Sequence, residues 1–266
     1  MKKMVLALTA VAAFSAPALA ADMRAKAPMM RAAPVAYAPS WTGCYVAGGW
    51  GYGMWNQENT AYDDGPPRVQ ATPTATAGGR GHFGTVQGGC DYQFALGGWN
   101  MVVGAFGDYD FADIKGQVNL PTSTLYGTEK LSSRWAVGGR IGALVTPQLL
   151  TYVAGGYTEA KFDRTNFEAF NGPVVIPGAG IYIDATTHKG WFIGSGAEYA
   201  LGFMPGLFWK TEYRYSQFDR QSNPLRVTAT NALTGDSIDS EKWTHAVRTQ
   251  LVYRFNWGGG AVVAKY

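Results

Sequence analysis

The sequence predicts an all-β fold: an eight-stranded antiparallel up-and-down barrel that crosses a membrane on its strands, with short turns at one end and long loops at the other. Three observations carry that expectation. After Trp41, apolar residues recur at every second position in about eight segments, the period of a strand with two unlike faces. The connections between those segments alternate between tight and long. The composition, 35 Gly, 15 Tyr, 13 Phe and 9 Trp with only 15% charged residues, is too aromatic for a disordered chain and too poor in charge for an ordinary soluble surface. Glycines also interrupt every apolar stretch that could form a helix.

The chain opens with the form of an export signal. Lys2 and Lys3 precede a short apolar stretch, Val5 to Phe14, and Ala18-Leu19-Ala20 is a small-x-small cleavage site. The expected organisation is a signal peptide over 1–20, a flexible periplasmic lead-in over 21–40, a barrel over 41–255 and a C-terminal extension over 256–266. The apolar stretch is too short to span a bilayer, and no later run reaches about 18 apolar residues. No Cys follows the cleavage site, which argues against a lipid anchor. Loss of Lys2 and Lys3 brings the formal net charge of +3 close to neutral, so nothing points to a nucleic-acid partner. No separate peptidoglycan-binding domain follows the barrel, and cell-wall anchoring of that type is not expected.

The expected strands run over 43–55, 80–94, 99–112, 130–145, 150–163, 188–200, 207–218 and 242–255. In the first, Cys44, Val46, Trp50 and Met54 share one face and Tyr45, Ala47 and Gly49 the other. In the fourth, Leu131, Trp135, Val137 and Ile141 oppose Arg134 and Arg140. In the fifth, the apolar face is assigned to Tyr152, Ala154 and Phe162, against Thr151, Glu159 and Lys161. Each segment is long enough to cross an apolar band when tilted. The connections at 95–98, 146–149 and 202–206 are tight. Those near 56–79, 113–129, 164–187 and 219–241 are long and rich in Pro, Gly, Thr, Asn and Asp. In an up-and-down barrel alternate connections share an end, so the pattern matches short periplasmic turns and long external loops.

A soluble ligand-binding barrel of the lipocalin kind would also alternate. Two features favour the membrane. Trp50, Trp135 and Trp191 fall near the loop ends of their strands, and Tyr92, Tyr199 and Trp209 near the turn ends, as interfacial aromatic belts do. The opposite faces are dominated by Gly, Ala and Thr with a few charges, which suits a narrow lumen. Unpaired edges are not tolerated in hydrocarbon, so the sheet must close. Eight strands leave an interior just wide enough for side chains, and a wide aqueous pore is not expected.

The segment Trp41-Thr42-Gly43-Cys44-Tyr45-Val46, the glycine-rich continuation to Gly53, Gly190-Trp191, Gly196-Ala197-Glu198-Tyr199, Lys210-Thr211-Glu212-Tyr213 and the stretch from His245 to Phe255 resemble a known family. It is the small outer-membrane β-barrel proteins of alpha-proteobacteria, called outer-membrane immunogenic or opacity-like porin-family proteins, which are similar to the transmembrane domain of outer membrane protein A. The resemblance covers nearly the whole mature chain. It implies a structural, envelope-maintaining or surface-interaction protein without an established catalytic role. Leu251, Tyr253 and Phe255 alternate as in the C-terminal strand signal read by the barrel assembly machinery. That signal normally ends on the terminal aromatic, whereas here the chain continues to Tyr266, so either Phe255 or Tyr266 serves.

Counting outward from each turn pairs the inward charges: Glu198 with Lys210, Glu212 with Arg248 and Asp108 with Arg134. The preferred reading is a plug of ion pairs in a low-dielectric shell; the alternative is a gate whose pairs exchange. Cys44 and Cys90 fall nearly opposite each other on neighbouring strands near the turn end. Directly opposite residues lie about 4.5–5.5 Å apart, within disulfide reach, and the periplasm permits the bond. The pair is open between a disulfide and two lipid-facing thiols. His82, His188 and His245 have no metal-type spacing and no His-x-Ser arrangement like that of outer-membrane lipid A deacylases. Gly48 to Gly53 is no phosphate loop, lacking G-x-x-x-x-G-K and a following helix. Arg68, Arg80, Arg220 and Arg226 lie in or near external loops, as solvated loop charge or as contacts to lipopolysaccharide phosphates.

The expected function is therefore non-enzymatic: an anchored barrel, without cofactor or metal, set among outer-membrane lipids and lipopolysaccharide. Its partners would be the barrel assembly machinery during biogenesis and host or envelope proteins at the external loops, with no nucleic acid. A small passive diffusion channel is the alternative, and a lipid-modifying membrane enzyme ranks last.

Overall fold

The computed structural model describes residues 39–119, 126–171 and 174–255, and every regular element in them is a strand. In chain order these are β1 Gly43–Asp63, β2 Val69–Gln70, β3 Ala75–Leu96, β4 Trp99–Asn119, β5 Tyr126–Thr146, β6 Leu149–Phe162, β7 Thr165–Asn171, β8 Val174–Ile183, β9 Thr186–Ala200, β10 Leu207–Val227 and β11 Leu233–Phe255. Eight of them form a ring, β1-β3-β4-β5-β6-β9-β10-β11. It closes because β11 pairs antiparallel with β1 from Cys44 opposite Phe255 to Asp63 opposite Asp236. β2 adds to the edge of β1, and β7 and β8 form an extra hairpin. The expected signal peptide over 1–20, nearly all of the lead-in over 21–40 and the extension over 256–266 lie outside the described residues.

Register begins at the tight turns. Gly97 and Gly98 both hold positive φ, 58° and 83°, the left-handed pair that a two-residue hairpin requires and that glycine adopts without strain. That turn sets Leu96 opposite Trp99 and carries the β3–β4 pairing unbroken to Gly78 opposite Gln117. The connection between β5 and β6 is equally short and that between β9 and β10, over 201–206, is also tight, so all three lie at one end.

At the other end the structure departs from expectation. The stretches read as long loops are largely strand: β1, β4, β5, β10 and β11 run 21 to 23 residues, about twice the 9–11 that cross a bilayer. The hairpins therefore continue beyond the apolar band. Pro, Gly and Asn marked those stretches as loops, but the closed ring gives each strand two neighbours, and cross-strand pairing overrides weak local propensity.

The change of medium is written in the outward face. Val46, Trp50, Val86, Val103, Val137, Ile141, Val153, Ile193 and Leu251 are exposed large apolar residues. A water-facing surface rarely carries so continuous an apolar belt. Toward the hairpin end it closes in a ring that includes Trp50 stacked on His82, Tyr109 against Phe111, Trp135 against Tyr157 and Trp191 against Tyr215. Above that ring the outward residues become polar: Glu58, Asp113, Lys115, Gln117, Lys161 and Lys189. The interior reverses in step. Within the apolar band it holds charges. Above the ring it holds a conventional core of Trp55, Phe83, Ile114, Leu131, Phe162, Phe167, Phe218 and Ile238. A second apolar layer of Trp41, Val102, Leu150, Ala200, Phe208 and Val252 fills the turn end.

Two expected faces are corrected. In β6 the residues read as the outer face, Tyr152, Ala154 and Phe162, point into the lumen, and Val153 and Tyr157 face out. Over 149–157 both faces of β6 carry apolar residues, so alternation alone does not orient it there. The turn at Pro147-Gln148 and an irregularity between Leu144 and Thr146 do. Leu131 also points inward, because a bulge between Leu131 and Ser133 reverses the parity of β5.

The boundary predicts a depth-dependent cost. Val153→Arg, in the apolar band, is expected to destabilise the barrel by about 2–4 kcal/mol, the cost of Arg near the bilayer midplane. Gln117→Arg, above the ring, should stay within about 0.5 kcal/mol of wild type. Urea titrations of folding into lipid vesicles, read by tryptophan fluorescence, measure both; equal costs would place the boundary wrongly.

Candidate functional site: the charged lumen

Inward-facing positions of the apolar band bring Arg134, Arg140, Lys210, Arg214, Arg248 and Arg254 together with Asp91, Asp108, Asp110, Glu198 and Glu212, all at most 7% exposed. Charges in so dry a space must be paired, since the desolvation cost is several kcal/mol per ion. They form two connected groups.

The group nearer the turns is a four-membered ring. Arg140 donates to Asp91 at 2.5 Å and to Glu198 at 3.0 Å; Arg254 donates to Asp91 at 2.7 Å and to Glu198 at 2.6 Å. Arg254 also donates to the Trp41 carbonyl at 3.2 Å. Trp41 in turn donates its indole N–H to the Pro147 carbonyl at 3.1 Å and packs on Phe208 at 4.8 Å. The guanidinium of Arg140 lies between the Tyr45 and Tyr152 rings at 4.9 and 5.0 Å, an attractive cation–π placement.

The upper group is a chain. Lys210 reaches Glu212 at 3.4 Å and donates to the Gln87 amide oxygen. Glu212 accepts from Arg214 at 2.8 Å and from the Tyr152 hydroxyl at 2.9 Å. Arg214 donates both terminal nitrogens to Asp108, at 3.0 and 2.8 Å. Arg248 bridges Asp108 and Asp110, each at 3.2 Å. Arg134 clamps Asp110 at 2.6 and 3.0 Å and donates to Thr244 at 3.0 Å. Above the chain, Lys242 pairs with Glu129 at 2.7 Å and lies 4.5 Å from the Phe162 ring centroid.

The expected pairs are thus regrouped. Glu198 and Lys210 are opposite in register, as are Glu212 and Arg248. Glu198 nevertheless bonds Arg140 and Arg254, and Lys210 turns to Glu212. Arg248 approaches Glu212 only to 3.9 Å. The partner of Arg134 is Asp110, not Asp108. A pairing error of two residues keeps every side chain on its face, so parity alone could not separate them. Asp91, Arg140, Arg254 and Tyr152 joined no expected pair because their partners lie across the lumen or two strands away.

Glycine makes the two-strand reach feasible. Gly104 lies between Asp91 and Arg140 in register, and a Cβ there would fall 1.9 Å from the Asp91 carboxylate. Gly196 lies likewise between Tyr152 and Glu212, where a Cβ would fall 2.5 Å from the hydroxyl. An inward glycine flanked by complementary polar residues is the signal that would have found these contacts.

The remaining candidates fall elsewhere. Cys44 and Cys90 are opposite in register, with a sulfur–sulfur distance of 2.05 Å, on the outward face near the turn end. Leu251, Tyr253 and Phe255 lie on β11, the first two exposed and the last two in ring contact at 5.3 Å. Of the arginines near the hairpin ends, Arg68 is held by Asp64 and Asp239 at 2.9 and 2.6 Å, Arg220 by Glu241 and Arg226 by Asp184, each at 3.1 Å. His82 and His245 sit in the outer aromatic ring, the latter 2.7 Å from the Tyr213 hydroxyl, and His188 is buried in the upper core.

A closed antiparallel ring, apolar outside and ion-paired inside, defines an integral membrane β-barrel. The chain belongs to the outer membrane protein β-barrel domain family, whose model matches residues 6–255. It is 30% identical over 260 residues to the 31 kDa outer-membrane immunogenic proteins of Brucella melitensis and Brucella suis, covering 96% of this chain and 100% of each relative. Among solved structures, the attachment invasion locus protein Ail of Yersinia pestis is 13% identical, with a TM-score of 0.32 over 77% of this chain and 99% of that one. The outer membrane protease OmpT of Escherichia coli is 12% identical, with a TM-score of 0.41 over 81% and 98%. Neither likeness bears on activity. The protein is an outer-membrane β-barrel of the alpha-proteobacterial immunogenic type.

Removing one anion tests the upper chain. Asp108→Ala leaves Arg214 and Arg248 short of an acceptor in a dry lumen, and should cost about 3–5 kcal/mol. Urea unfolding in vesicles gives the value; a change under about 1 kcal/mol would mean that solvent reaches the lumen and screens the pair.

Proposed function

We propose that the protein is a non-enzymatic envelope protein: a barrel with a sealed lumen that anchors its hairpins at the cell surface. The observation that carries this reading is the burial of the lumen charges. Arg214, Arg248, Arg254, Glu198 and Lys210 are each at most 1% exposed, and apolar layers lie above and below them. A conducting path needs wetted, exchangeable charges, whereas these are cross-linked in bidentate and bridging pairs. The surface role follows from what is left, an outer wall and long hairpins.

In this reading residues 1–20 direct export, 21–40 lie in the periplasm, and β11 with Leu251, Tyr253 and Phe255 presents the assembly signal. The Cys44–Cys90 bond staples β1 to β3 next to the seam that closes the ring. Host or envelope proteins would meet the hairpins.

Planar-bilayer recordings of the refolded protein decide between scaffold and channel. No steady conductance is expected in wild type or in Glu212→Ala; a stable conductance in the wild type would replace the sealed scaffold with a small diffusion channel. The staple has its own readout: thiol labelling after denaturation without reductant should find no free thiol, and two labelled cysteines would refute it.

A further inference from the structure

The outward face above the aromatic ring is electrostatically lopsided. Arg80 on β3, Lys115 on β4 and Lys130 on β5 are register partners in succession, Arg80 opposite Lys115 and Lys115 opposite Lys130. Lys161 on β6 and Lys189 on β9 continue the arc, both outward and exposed. Like charges placed directly opposite across strands are destabilising, and here they recur on consecutive strand pairs. Asp113 reaches Lys115 at 3.0 Å and Lys130 at 3.1 Å, and Glu159 stands opposite Lys189; two carboxylates do not balance the five cations of the arc. Arg80, Lys161 and Lys189 make no ion pair among the described residues. On the remaining strands, Glu58 on β1 stands opposite Glu241 on β11, and Glu241 also pairs with Arg220 at 3.1 Å, so the cations without an ion pair lie on the β3–β9 flank.

Directly below the arc, Phe111, Tyr109, Trp135 and Tyr157 face outward, and Val137 and Val153 continue the apolar track. Cations set over an apolar wall complement an amphiphile with phosphates at its head and several acyl chains.

We infer that the β3–β9 flank binds one phosphorylated glycolipid of the outer leaflet, of the lipid A class. Its phosphates bridge Arg80, Lys115, Lys130 and Lys161, and its acyl chains lie along the wall beneath. The inference rests on the reading of the protein as a surface-anchored barrel and gives that barrel a specific lipid partner. It also moves lipopolysaccharide recognition off the hairpin ends. There, Arg68, Arg220 and Arg226 are occupied by the protein's own carboxylates.

The test is native mass spectrometry of the detergent-solubilised full-length protein with bisphosphorylated lipid A, its dephosphorylated form and phosphatidylglycerol as probes. Wild type should retain bisphosphorylated lipid A over the other two. The K115Q/K130Q/K161Q triple variant should lose on the order of a hundredfold in affinity, since each basic residue near an anionic lipid surface contributes about fivefold. Glu58→Gln, on β1 outside the flank, should bind as wild type does. Heat-modifiable gel mobility shows that each variant is folded before it is compared. Wild-type binding by the triple variant overturns the inference, as does equal retention of dephosphorylated lipid A or phosphatidylglycerol. Those outcomes leave the bilayer recordings untouched, so failure of the lipid site and failure of the sealed scaffold are separately visible.

Discussion

The seam between β11 and β1 is the constraint on which the rest depends. In hydrocarbon an unpaired strand edge leaves a row of N–H and C=O groups without partners, each costing several kcal/mol. The unbroken pairing from Cys44 opposite Phe255 upward removes that edge. Closing the sheet with eight strands then fixes the diameter, and the diameter decides what fits inside. Large inward side chains such as Arg140, Arg254, Tyr45 and Tyr152 share the cross-section only because inward positions beside them, Gly104 and Gly196 among them, have no side chain. These inward glycines are thus a packing consequence of closure rather than a sign of flexibility.

The same ring solves two different burial problems along its length. In the lower half the outside is lipid and the inside holds ions. In the upper half the outside is water and the inside holds Trp55, Phe83, Phe162 and Phe218. Strand parity does not change between the halves except at bulges, so each strand switches the chemistry of both faces at once near the aromatic ring. On β5 the outward set runs from Thr128 and Lys130 to Trp135, Val137 and Ile141, while the inward set runs from Leu131 to Arg134 and Arg140. The bulge after Leu131 lies at that transition.

Much of this was legible in sequence. Period-two alternation, three short turns and the placement of Trp50, Trp135 and Trp191 gave the eight-stranded barrel with its short turns at one end. The opposition of Cys44 and Cys90 followed from counting along a single hairpin. Legibility failed where the deciding contact is not local. Asp110 and Asp108 share a face and lie two residues apart, so only the β4–β5 register, with its irregularity between Phe111 and Ile114, assigns Arg134 to the first. Arg140 and Glu198 meet over an intervening strand. The hairpin ends, rich in turn-forming residues, became strand because the closed ring supplied partners that no local window contains.

Why the lumen should hold ions rather than aliphatic side chains follows from the solvent outside. A buried ion pair is rarely worth more than a well-packed apolar pair of the same volume, so stability alone does not explain the network. A barrel with apolar residues on both faces of every strand would have no preference for which face meets lipid, and β6, apolar on both faces over 149–157, shows how little alternation then specifies. Charges break the tie. A strand turned inside out would carry Arg140, Arg214 or Glu198 into hydrocarbon, at several kcal/mol for each uncompensated ion, while the correct face costs little because the partners wait across the lumen. The network thus penalises an inverted strand, a distinction that hydrogen bonding alone does not make. On the proposed reading of a sealed lumen, the surfaces left for recognition are the outer wall and the hairpins.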